Sequence, residues 1–142
     1  MLLEHHLRIY SSMFEVGWGN GYVLVPSNHP FYNVDYDNIS VHVHGGLTFG
    51  QKFNSNRFLE WISKNEILGD VTIENYKKFE DYWMIGFDTA HYGDDIYKCS
   101  KEYVIKETND LLEQCLDESI KGIYEYKRIY LRKDKLKRIE SL

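Results

Sequence analysis

The segment Tyr82-Trp83-Met84-Ile85-Gly86-Phe87 carries no charged side chain and is bounded by Asp81 and Asp88. It is too short for a buried helix, and its apolar residues fall on both faces of an extended chain, so it reads as an interior strand covered on both sides. A chain of 142 residues is the size of one domain, so the layers covering that strand are expected to belong to the same domain. Asp88 then stands at the C-terminal end of that strand, where ligand sites of open sheets concentrate.

The remaining segments can be placed around this strand. Gly17, Gly19 and Gly21 mark a loop leading into a strand at Tyr22-Val23-Leu24-Val25, which Pro26 stops. The glycine spacing precedes the strand and lacks the last glycine of a dinucleotide fingerprint, so that reading is set aside. Residues 27–37 interleave Phe31, Tyr32 and Tyr36 with polar groups and suggest an ordered, aromatic-anchored loop. Ile39, Val41 and Val43 alternate with Ser40, His42 and His44, which predicts a strand with both histidines on one face. Leu47 to Gly50 can resume an extended segment. Ser55 is the expected cap of a helix ending near Leu68-Gly69, and Val71 to Glu74 suggests an exposed strand. Ser100 is the expected cap of a second helix, with Val104, Thr108, Leu111 and Cys115 on its buried stripe. Beyond Gly122 the periods of helix and strand fit equally well. The expected class is α+β: a mixed, mainly antiparallel sheet with two or three helices packed on it.

Charge divides the chain. Residues 120–142 hold eight Lys or Arg against three Asp or Glu, and residues 1–119 hold nine against nineteen. The expected organisation is one domain over 1–119 and a basic extension over 120–142, docked on the domain or on a partner subunit as a homo-oligomer contact. An acidic body repels a polyphosphate and disfavours nucleic acid as a partner. No apolar run is long enough for a membrane span, and the charged start is unlike a signal peptide, so a cytoplasmic protein is expected. Cys99 and Cys115, separated by a predicted helix, would stand roughly 24 Å apart and form no disulfide.

Two segments gather polar groups beside glycines: 42–46 and 88–95. His44, Thr48, Asp88, His91 and Asp94 supply hydrogen-bonding groups, and Gly45 and Gly46 supply backbone that nothing shields. Phe31, Tyr36 and Tyr92 are candidate stacking rings. Together these ten residues form the expected ligand-binding set for a small molecule. In the alternative set His42 and His44 share a strand face with spacing suited to one divalent transition metal, completed by Asp88 and His91. No serine stands in a nucleophile elbow, and Cys99 has no base beside it in sequence.

Gly21-Tyr22-Val23-Leu24-Val25-Pro26, Val43-His44-Gly45-Gly46-Leu47-Thr48-Phe49 and Gly86-Phe87-Asp88-Thr89-Ala90-His91-Tyr92-Gly93-Asp94 resemble a family of small, uncharacterised phage and bacterial proteins. In that family GYV-V-P, VHGGLT and GFD-x-AH-x-GD segments precede a terminal helix. The resemblance spans residues 21–116; His42 and the basic extension lie outside it. It implies no activity, but in size and setting such a protein is similar to anti-defence proteins that sequester immune signalling nucleotides. The expected function is therefore capture of a small polar ligand, a nucleotide-derived signal first, in the cytoplasm of an infected host. Alternatives are a metal-dependent hydrolase acting on such a molecule and a protein that inhibits a host factor by direct interaction.

Overall fold

The apolar run becomes strand Trp83–Phe87, and every one of its residues is buried. The computed structural model describes residues 6–12 and 16–140, with side chains to residue 121. In chain order the elements are β1 (Leu7–Ser12), β2 (Gly19–Val25), β3 (Phe49–Lys52), α1 (Ser55–Lys64), β4 (Ile67–Gly69), β5 (Trp83–Phe87) and α2 (Lys101–Glu140). The five strands form one sheet in the order β3-β5-β2-β1-β4, with every neighbouring pair antiparallel. The fold is α+β as expected, with β5 held between β2 and β3.

Alternation along β5 sends Trp83, Ile85 and Phe87 to one face, where they join Val23 and Val25 of β2 and Val104, Leu111 and Cys115 of α2. Met84 joins Leu24, Ile9 and the α1 residue Phe58 on the other face. Each face thus has its own apolar layer, which is what a two-sided strand requires. Gly86 lies opposite Tyr22 in the register, and a methyl group there would fall 2.3 Å from the Tyr22 ring. Gly21 likewise leaves room for Thr108 of α2. Gly86 of β5 and Gly21 of β2 therefore let neighbouring strand and helix approach closely.

α2 buries Val104, Thr108, Leu111, Cys115 and Ser119 along one stripe. The Ser100 hydroxyl accepts from the Tyr103 amide at 3.3 Å and caps the helix. The helix runs past Gly122 to Glu140. The expected docking of residues 120–142 depends on side chains beyond residue 121, outside those described.

Several local expectations are corrected. Residues 39–43 form no strand and pair with none among the described residues. The Gln114 side-chain amide instead takes the place of a neighbouring strand, accepting from the His42 amide at 2.7 Å and donating to the His42 carbonyl at 2.8 Å. The alternation survives because Ile39, Val41 and Val43 still pack on the core beside α2. Helix α1 is capped by Asn54, which accepts from the Arg57 amide at 3.1 Å, and it ends at Lys64. Ile67–Gly69, expected as the end of that helix, pairs with β1. Val71 to Glu74 is no strand: the Asn75 side chain accepts from the Thr72 amide at 2.7 Å and closes a turn, burying Val71 while Ile73 stays exposed.

Candidate functional site

The polar segments meet at the end of β5. The Thr48 amide donates to the Gly86 carbonyl at 2.9 Å, which lays residues 44–48 beside the turn that follows the strand. The Thr48 hydroxyl donates to Asp88 Oδ2 at 3.0 Å, and the Ala90 amide donates to Asp88 Oδ1 at 3.0 Å. His91 Nδ1 stands 3.4 Å from Asp88 Oδ1 and 3.3 Å from Asp94 Oδ2. Asp94 Oδ2 also accepts from the His91 amide at 3.0 Å.

His44 occupies the interior of this cluster. Its Nε2 is 2.9 Å and 3.1 Å from the two oxygens of Asp94, and its Nδ1 is 2.8 Å from the Tyr103 hydroxyl. With the proton on Nε2, His44 donates to Asp94 and accepts from Tyr103. The Cys99 thiol lies 3.8 Å from the same Nε2. Gly45 has φ +67°, and a methyl group on it would fall 2.5 Å from the His91 ring. Only glycine lets the two segments close here.

The far segment is pinned to the fold. Thr89, buried, donates its hydroxyl to the Gly19 carbonyl at 2.7 Å, and the Gly17 and Trp18 amides donate to the Thr89 and Cys99 carbonyls. Asp95 folds the next turn by accepting from the Tyr97 and Lys98 amides at 2.9 and 2.7 Å. Tyr92, Ile96 and Tyr97 are left exposed on this loop.

Electrostatics follow from burial and bonding. Burial alone would raise the Asp94 carboxyl, but the hydrogen bonds from His44 and from the His91 amide outweigh it and hold the group below the ordinary value. Burial, then the Asp94 charge, pushes the Cys99 thiol up. Cys115 is a core residue whose thiol burial pushes up to about 12, and neither cysteine is in a disulfide.

Of the ten residues expected to bind ligand, His44, Gly45, Thr48, Asp88, His91 and Asp94 converge. Gly46, at φ +77°, adjoins them with open space where a side chain would stand. Tyr92 is on the same loop. Phe31 is elsewhere, buried in the core with its ring 5.0 Å from that of His29. Tyr36 is placed against Gly50 of β3. His42 is exposed, and Gln114 bonds its backbone N–H and C=O. The sequence reading missed the roles of Cys99 and Tyr103, and that of Glu107, which lies 3.4 Å from the Tyr103 hydroxyl. The four-residue spacing of Tyr103 and Glu107 at the start of a predicted helix was the available signal.

No family model, curated protein or solved structure matches the chain. Its chemistry must therefore be argued from the site. A separate groove of about 330 Å³ on the α1 side of the sheet is lined by Phe58, Ile62, Ile67, Val71 and Ile73, an apolar surface without the convergent polar groups of the cluster. Among the described residues no helix is long and apolar enough to cross a membrane.

Proposed function

We propose that the protein captures a small polar ligand, with a nucleotide-derived signal as the best-fitting class, at the rim between residues 44–48 and 88–94, and releases it unchanged. The observation that carries this reading is the division of the cluster into an inner and an outer pair. The Asp94 side chain is 9% exposed and braces His44, while those of Asp88 and His91 are 31% and 35% exposed. A carboxylate has about four acceptor sites. Asp88 takes donors from Thr48 and Ala90, which leaves capacity for ribose hydroxyls or the N–H edge of a base. Tyr92 is fully exposed beside this pair and offers a ring on which a base can stack.

Capture without turnover agrees with the cysteine chemistry, since burial disfavours the thiolate at both Cys99 and Cys115. Such a binder suits sequestration of a signal, the anti-defence role expected from the resemblance. A second reading, metal-dependent hydrolysis of the same class of molecule, draws on one observation: ligand atoms of His44, Asp94 and Cys99 all lie within 4.8 Å of one another.

Thermal melting against a panel of linear and cyclic signalling nucleotides tests the proposal. A rise in Tm with one member, followed by its intact recovery after denaturation, is expected. No shift across the panel contradicts capture, and recovery of a cleaved product moves the protein to the second reading.

A further inference from the structure

We propose that His44 Nε2, a carboxylate oxygen of Asp94 and Cys99 Sγ form a binding site for a single divalent metal ion of the zinc class. These are one nitrogen, one oxygen and one sulfur donor, the mixed set that zinc and its neighbours accept. Their spacing is close to a coordination sphere. A tetrahedral ion with ordinary zinc bond lengths places a nitrogen and an oxygen ligand about 3.3 Å apart and a nitrogen and a sulfur ligand about 3.5 Å apart. Here Nε2 stands 2.9 and 3.1 Å from the Asp94 oxygens and 3.8 Å from Sγ. All three donors lie within 4.8 Å of one another, within reach of one ion.

The surroundings are built to hold that geometry. Asp94 is fixed by the His91 amide at 3.0 Å. Cys99 is fixed through its amide to Asp95 at 2.8 Å and through its carbonyl to the Trp18 amide at 2.8 Å. When the ion takes the place of the Nε2 hydrogen, the ring proton moves to Nδ1 and is donated to Tyr103 across the same 2.8 Å. The Tyr103 hydroxyl hydrogen then turns toward Glu107 Oε1, 3.4 Å away. Metal-bound histidines regularly carry such a partner on the second nitrogen. Binding forms three metal–ligand bonds and releases the Cys99 proton to solvent.

This set differs from the sequence-based one in replacing His42, Asp88 and His91 with Asp94 and Cys99. It deepens the second reading only, and its test contains no nucleotide, so its failure leaves ligand capture standing. The test is titration of the metal-free full chain with cobalt(II), read by visible bands for tetrahedral coordination and near-ultraviolet bands for sulfur ligation. One equivalent should bind with both signatures, and zinc should displace it. Cys99→Ser should abolish the near-ultraviolet band while retaining the far-ultraviolet circular dichroism of the wild type. Tyr103→Phe should keep both bands and weaken affinity by about 10- to 100-fold, and His42→Ala should change neither. Absence of stoichiometric binding, or a sulfur band that persists in Cys99→Ser, overturns the site. Should Cys99→Ser fail to fold, loss of both bands in a folded Asp94→Asn supports the site, and their retention overturns it.

Discussion

Two polar networks brace α2 against the sheet, and they differ in how donors match acceptors. In the first, Arg8 of β1 grips Asp70 with two parallel bonds of 2.9 and 3.1 Å and reaches Asn109 of α2 at 2.9 Å, where Tyr10 joins at 3.0 Å. A guanidinium with five donors meets a carboxylate and an amide oxygen, and the network closes on itself. In the second, two carboxylates and a thiol surround two imidazoles. Acceptors crowd there, the backbone takes positive φ at Gly45, Gly46 and Gly93, and the strands have ended. A matched network tells of stability; an acceptor-rich one set on loops is where the proposed ligand would supply the missing donors.

Removing the hub of each network should give the largest separation between them. Asp94→Ala strands His44 and the His91 amide together and should cost about 2–4 kcal/mol. Asp70→Ala breaks a pair whose side chains are each 34% exposed, so solvent screening limits the loss to about 1–2 kcal/mol. Denaturant unfolding measures both. An equal loss would erase the distinction.

A smaller effect is expected from the glycines. Gly45→Ala meets the His91 ring at 2.5 Å in addition to its positive φ, whereas Gly46→Ala meets nothing within 4 Å. Gly46→Ala should cost about 1 kcal/mol from backbone strain alone, and Gly45→Ala more, with loss of ligand response. Thermal melting with and without ligand checks the order.

The smallest expected difference is in acid. Burial works to raise both Asp70 and Asp94, and hydrogen bonds, from Arg8 in one case and from His44 and the His91 amide in the other, lower both below the ordinary 3.8. A carboxyl with a lower pKa folded than unfolded contributes stability above the unfolded value and loses it as pH falls through the folded one. Stability should therefore decline below about pH 4, and Asp70→Asn and Asp94→Asn should each flatten that decline in unfolding curves taken across pH. An unchanged slope in both would contradict these assignments.

The central strand was legible because Trp83 to Phe87 has no polar face, and α2 because Val104, Thr108, Leu111 and Cys115 keep helical spacing. Residues 39–43 misled for a physical reason: alternation reports which side chains are buried, not what their backbone bonds to, and here the partner is a side-chain amide 72 positions away. β4 is three residues long, too short to leave a period. In the site, glycines beside histidines and acids marked the two segments. Cys99 and Tyr103 carried no such mark, since their contacts with His44 cross 55 and 59 residues of chain and arise only when the sheet and α2 assemble.

Calorimetric titration of the nucleotide panel into wild type, Asp88→Ala and Asp70→Ala most directly tests whether the acceptor-rich network is the binding site. Wild type and Asp70→Ala should bind the same nucleotide with equal affinity, and Asp88→Ala should lose about 1–3 kcal/mol, the worth of hydrogen bonds to a charged group. Equal affinity in Asp88→Ala, or an equal loss in Asp70→Ala, would contradict that assignment.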